Sequence, residues 1–448
     1  MPWRCKTVKI LLHNAILFDG VSLFGKETDV AIDGGLIEAI GEADLRGGFD
    51  VIHDLSGKIL CPGFIDLHCH LRDPGQEWRE DLFSGSAAGA AGGFTTLVCM
   101  PNTDPPLDSP ALVSYVLEKS ERSPGSRILP AGCVSRGRKG KVLAEMGKMA
   151  KAGAVIFTDD GSPVSDTGLL RLALQYSSWL GVRLMEHPEE KSLTAYAQVN
   201  EGICSTLSGL KGWPSSAEAS DISRGVSLCR DTGVPIHFTH VSAEDSLRVL
   251  REAKASKLPV TFDVTPHHLC LSEENVIEGG YDSVFKVNPP LRSRRDRDAL
   301  WEAVAEGIVD AIATDHAPWH LDEKDLPFQE ASFGIASLEC AVAAVLTEWE
   351  DRGRPCSLER LLGLFTSGPA SILPGEWGGA GAGRIEVGLT ADLTVLDPEL
   401  ERIVNVEEWK SKARLTPWNG RRLRGWPVMT MVGGRTVHPV EDIDRGLS

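Results

Sequence analysis

The sequence predicts an α/β protein: a closed (β/α)8 TIM-type barrel with a small β-sandwich domain built from both chain ends. Three observations carry this. From residue 59 onward, eight short β-rich apolar runs each lead into a loop and then a helix-like segment. Both ends of the chain read instead as short strands and turns. The length, 448 residues, suggests about two or three domains. The expected division is 1–58 and 379–448 for the β-domain and 59–378 for the barrel.

The eight runs are "GFIDLHCH", "FTTLVCM", "SRILPAG", "AVIFTDD", "VRLMEH", "PIHFTH", "VTFDVT" and "VDAIATD". Strand alternating with helix implies parallel pairing through crossover helices. Eight repeats favour a closed barrel over a doubly wound sheet. No Gly-rich fingerprint follows the first run, which further disfavours the sheet. The helical partners are "ALVSYVLEKSE", "VLAEMGKMAKAG", "LLRLALQYSSWLG", "DISRGVSLCRDTG", "EDSLRVLREAKAS", "DRDALWEAVAEG" and "LECAVAAVLTEWEDRG", with the Gly/Ala-rich "DLFSGSAAGAAGG" as the first. The "GGAGAG" near Gly378 lacks a strand-to-helix context and reads as a flexible link, not a phosphate cradle. Residues 6–58 read as strands with turns at Asp19-Gly20 and Asp33-Gly34-Gly35. Residues 384–440 look similar.

The net charge of -17 argues against nucleic-acid and anionic-membrane partners. Ten cysteines are scattered singly, with no CxxC. They read as buried free thiols of a reducing cytosol. The first twenty residues lack a cleavage site and read as a strand. No apolar stretch approaches the roughly 20 residues of a membrane span.

The chemistry gathers where the runs end. His68 and His70 are two apart, so a strand points both to one side. Run four ends in Asp159-Asp160, run five in Glu186-His187, run six in His240 and run eight in Asp315-His316. Barrel sites lie at this face. Four imidazoles and two or three carboxylates in one mouth indicate a metal site, and they exceed what one tetrahedral ion uses. Two ions bridged by a carboxylate and a hydroxide would use them all. The nitrogen-rich set favours zinc, with manganese or cobalt as substitutes. The reaction class is hydrolysis, or its reverse, at a carbonyl-like centre. Asp159, His237 and His316 should face away by alternation, and His267-His268 read as structural or supporting. Arg72, Asn102 and Asn288 sit at the same face and could hold a carboxylate-bearing, amide-rich substrate.

At these residues the chain resembles the dihydroorotases of the amidohydrolase superfamily, of the bacterial class I type. The motifs are "PGFIDLHCHLRDPGQEWREDL", "AAGGFTTLVCMPNTDP", "FTDDGSPV", "EHPEE", "HFTHVS", "VTPHHL", "KVNPPLR", "ATDHAP", "FGIASLE" and "GRIEVGLTADLTVLD". The resemblance covers nearly the whole chain. It implies two Zn2+ per chain: His68, His70 and Asp315 on one, His187 and His240 on the other, with Asp160 and a hydroxide as bridges. It implies substrate contacts from His70, Arg72, Asn102, Asn288, Phe333 and Gly334, and Asp315 as the catalytic proton relay. The implied reaction is reversible cyclisation of N-carbamoyl-L-aspartate to dihydroorotate in pyrimidine synthesis, in the cytoplasm. A homodimer is expected, and the resemblance raises association with aspartate transcarbamoylase.

Many relatives bridge their metals with a carboxylated lysine, and "AVIFTDD" has none. That favours dihydroorotase over hydantoinase or allantoinase, which remain one rival. The other is a silent homologue serving as a scaffold for aspartate transcarbamoylase. Two departures from the family pattern stand out. Ser337 replaces a usual glycine, and Trp319 stands where the family has a substrate-contacting histidine. The Trp319 ring could substitute for the imidazole, the contact could be lost, or the loop could shift so that His320 takes its place. The shift is the reading adopted.

Overall fold

The computed structural model describes residues 8–41, 48–375, 377 and 381–439. All eight runs form strands: Phe64–Cys69, Phe94–Cys99, Arg127–Gly132, Ile156–Phe157, Arg183–Glu186, Ile236–Phe238, Val260–Val264 and Ala311–Ile312. They pair in chain order, each ladder parallel. The first and eighth meet through a parallel bridge between Cys69 and His316, where the His70 N–H donates to His316 O at 2.8 Å. Asp66 completes the seam, accepting from the Thr314 N–H at 2.9 Å and its hydroxyl at 2.5 Å. The barrel is therefore nearly closed.

Alternation along the strands separates two apolar layers. Leu129 and Met185 pack in one cluster with Ile65, Leu67 and Ala313. Their neighbours Ile128 and Leu184 pack in another, with the helix residues Leu170, Leu174 and Leu247. The Gly/Ala-rich first partner is a helix, Leu82–Ala91. Asp81 caps it, accepting from the Phe83 and Ser84 N–H groups at 2.8 Å each. The small residues allow close packing: a Cβ on Gly92 would lie 2.2 Å from Leu338 O.

Two helices differ from expectation. The third is only Met146–Ala152, because Leu143 bridges to Ser135 and the Ala144 N–H donates to Val134 O at 2.9 Å. The helix expected from residue 221 begins earlier, as Ser215–Thr232. Between the fifth and sixth strands the chain also makes a small parallel ladder, Val199–Asn200 with Gly212–Trp213.

The chain ends share one mixed eight-stranded sheet. Strand Ile59–Pro62 pairs with Lys9–Phe18 on one side and with Leu393–Ile403 on the other. The expected boundary at residue 58 therefore shifts, since these four residues belong to this sheet and the barrel starts at Phe64. Asp33 pairs with Leu36 across Gly34-Gly35, whose φ values of 60° and 83° suit a type I′ hairpin. The first half of the run "GGAGAG", residues 378–380, lies outside the described residues. All nine described cysteines are free thiols. Among the described residues, no helix is long and apolar enough to cross a membrane.

Asp81→Ala is expected to destabilise the fold by about 1 kcal/mol through loss of the cap. Thermal melting would show a lowered midpoint; an unchanged one would mean that the cap adds no stability.

Candidate metal centre

The six residues named from the sequence converge at the C-terminal ends of the strands, all buried. Asp160 lies at their middle. Its Oδ1 is 3.4 Å from His68 Nε2, 3.3 Å from His187 Nδ1 and 3.8 Å from His240 Nε2. Its Oδ2 is 3.7 Å from His70 Nε2. Asp315 Oδ1 is 3.0 Å from His70 Nε2 and 3.5 Å from His68 Nε2. Two groupings have ligand atoms close enough to share an ion: His68, His70 and Asp315, and His68, Asp160 and His240.

For three of the four rings, the outer partner shows which nitrogen points inward bare, whereas His240 Nδ1 has no partner among the described residues. His70 Nδ1–H donates to Asn102 Oδ1 at 2.8 Å, which leaves Nε2 unprotonated. His187 Nε2–H donates to the Glu189 carboxylate at 3.0 Å, which leaves Nδ1 bare. The Thr239 hydroxyl donates to Asp263 Oδ1 at 3.2 Å, so it accepts from His68 Nδ1–H at 2.7 Å. In this arrangement lone pairs face lone pairs and carboxylate oxygens, as with His68 Nε2 and His70 Nε2 at 3.3 Å. A cation at the centre resolves that conflict, so the donor set fits a metal.

The charges agree. Burial works against ionisation of Asp160, but His68, His187 and His240 hold its carboxyl well below the usual range. Burial opposes charge on His68 too, yet Asp160 and then Asp315 push it up to about 10. The pocket thus attracts positive charge strongly. Three of its residues occupy the left-handed region: Arg72 at φ 59°, His240 at 42° and Asp315 at 44°. Such strain in non-glycine residues gathers at functional sites.

A cavity of about 130 Å³ opens onto these groups. His70, Arg72, Asn102, Asn288, Trp319, Phe333 and Gly334 all line it. His320 does not. It is exposed and caps the short helix Leu321–Lys324, its Nδ1 accepting from the Asp322 N–H. The expected loop shift is therefore corrected, and Trp319 keeps the inward position. Its indole N–H is not free for a ligand, because it donates to Phe333 O at 2.7 Å. Two guanidinium groups stack on the ring, that of Arg72 at 4.8 Å and that of Arg79 at 4.1 Å from its centroid.

Alternation placed the other residues correctly. Asp159 turns away to the Val134 and Ser135 N–H groups, His237 to Asp263, and His316 to Glu80. His267 and His268 lie on the short helix Pro266–Cys270. His268 is held by Thr265 and Pro289 O, whereas both buried ring nitrogens of His267 lack a partner. The sequence reading missed Glu189, Thr239 and Asp263. The one local signal was the spacing of Glu189, two residues after His187 in "EHPEE".

Residues 57–246 match the family model described as Dihydro-orotase-like. The chain is 44% identical over 430 residues to the dihydroorotase of Pelotomaculum thermopropionicum, covering 96% of this chain and 98% of that one. It is 41% identical to the dihydroorotase of Aquifex aeolicus, covering 96% and 99%. Among solved structures, the L-hydantoinase of Arthrobacter aurescens superposes with a TM-score of 0.83 at 25% identity, covering 96% of each chain. It shares the fold.

Glu189→Ala removes the acceptor that orients His187. Metal affinity, read by chelator competition, is expected to fall about 10–100-fold. Unchanged affinity would mean that the ring is held some other way.

Proposed function

The chain belongs to the dihydroorotase family, and from that membership we infer that it interconverts dihydroorotate and N-carbamoyl-L-aspartate at the cavity described above. It is a hydrolase of cyclic amide C–N bonds. The observation that carries the assignment is the joint lining of one small cavity by five of the six cluster residues, all but His68, and by Arg72, Asn288 and Phe333-Gly334.

Two zinc ions are proposed, one with His68, His70 and Asp315 and one with His187 and His240, with Asp160 between them. When bound, they would polarise the ring amide carbonyl and supply a hydroxide nucleophile at neutral pH.

The chain's own residues do the rest. Asp315 lines the cavity, and the adjoining imidazoles hold it as an anion against its burial, so it can accept a proton. In the hydrolytic direction the attacking oxygen forms a bond to the ring carbonyl carbon and gives its proton to Asp315. Asp315 returns that proton to the ring nitrogen as the C–N bond breaks. The reverse sequence closes the ring. Arg72 commits its Nε to Pro318 O at 3.2 Å and its face to Trp319, which directs its terminal amines. A substrate carboxylate matches that fork. Asn288 has a buried Oδ1 without a partner, suited to a ring N–H. Asn102 is spent on His70 and Asp160, so it orients ligands more than it binds substrate. The free thiols suit a reducing cytosol.

The hydantoinase reading shares the fold but not this sequence similarity. A silent scaffold does not need six converging ligand-type side chains.

Steady-state assays on metal-loaded protein should show turnover of dihydroorotate well above hydantoin and allantoin; the opposite order would overturn the assignment. Asp315→Asn should lose about 10²–10⁴-fold in kcat with an unchanged circular dichroism spectrum. Near-normal turnover in that variant would remove Asp315 from the proton path.

A further inference from the structure

Lys324 is only 4% exposed, yet none of its described hydrogen-bond partners is a carboxylate. Its ammonium donates to three backbone carbonyls: Lys286 O at 3.2 Å, Ser332 O at 3.0 Å and Gly334 O at 3.0 Å. Burial, with the Lys286 charge nearby, pushes it down to about 7. Burying a cation costs desolvation free energy, which the three carbonyls it satisfies must offset.

The carbonyls it holds belong to the cavity wall. Ser332, Phe333 and Gly334 are consecutive, and all three of their oxygens are taken by side chains. Lys324 takes the first and third, and the Trp319 indole takes the second. The Gly334 N–H donates to Lys286 O at 2.9 Å and the Ser332 N–H to Glu323 O at 3.0 Å. The Lys286 ammonium stands 4.4 Å over the Phe333 ring and donates to Gln329 O at 3.1 Å. The fit is tight: at φ 152°, a Cβ on Gly334 would lie 2.6 Å from Ala317 O and 2.7 Å from Trp319 Nε1. Among the described residues, the Phe333 N–H is the one backbone polar group of the Phe333-Gly334 pair left unbonded.

We propose that Lys324 is a positioning residue for substrate binding: it fixes the Ser332–Gly334 segment so that the Phe333 N–H and the Trp319–Arg72 stack meet the substrate in one arrangement. This rests on reading the cavity as the dihydroorotate site. Lys324 itself does not line the cavity and acts through the segment it holds.

The test compares Lys324→Met with the wild type, both full-length and metal-loaded. Steady-state kinetics with dihydroorotate is paired with hydrogen exchange of the amides of residues 332–335. The expected result is a KM raised about tenfold or more, kcat within about threefold, unchanged metal content and faster exchange at those amides. Unchanged KM and exchange would overturn the proposal. So would a fall in kcat at constant KM, or loss of metal. If the variant does not fold, Lys324→Gln keeps a polar side chain but has only two N–H donors on a shorter stem for the three carbonyls. It should raise KM severalfold, and an unchanged KM overturns the proposal. A wild type inactive on dihydroorotate would overturn the substrate reading instead, and the exchange result would still decide the role of Lys324.

Discussion

Everything in the site depends on which nitrogen each histidine turns toward Asp160. A neutral imidazole has one N–H and one lone pair, and the acceptor it meets on its outer side decides which faces in. Asn102, Glu189 and the Thr239–Asp263 pair make that choice for His70, His187 and His68. The result is a dense set of lone pairs around a buried carboxylate. Such a set is repulsive by itself and stable around cations. The attraction for positive charge is thus built by hydrogen bonds one layer outside the His/Asp cluster.

The barrel makes this possible because it brings residues far apart in sequence to one rim. His68 and Asp315 are separated by most of the catalytic domain, yet the seam between the first and eighth strands sets them side by side. Asp66 joins that seam by bonding Thr314, just before Asp315. Beyond the rim, the segment from Ala317 to Gly334 folds back as a wall. The Trp319–Gly334 side of the cavity is held by backbone carbonyls and stacked rings, whereas the His/Asp cluster is held by strand ends. Altering one side should therefore leave much of the other intact.

Much of this was legible in the sequence. The eight runs and their order are visible because parallel strands buried on both faces read as short apolar stretches. The converging histidines are visible because period two places His68 and His70 on one side and turns His237 away. What was not legible depends on tertiary partners. Glu189 and Asp263 look like ordinary acidic residues until the fold sets them behind a histidine. Lys324 looks like a solvated helix lysine until the wall closes over it. The position of His320 failed for a local reason. Trp319 gains two guanidinium faces and a carbonyl by staying inward, and His320 gains a helix cap by staying out. A one-residue shift would lose both.

The central claim is that Asp160 sits between two metal positions. Anomalous diffraction at the zinc edge on crystals of the metal-loaded protein tests it most directly. The account predicts two peaks flanking the Asp160 carboxylate, one beside His68, His70 and Asp315 and the other beside His187 and His240. A single peak in fully active protein, or peaks that leave Asp160 outside both coordination shells, would contradict it.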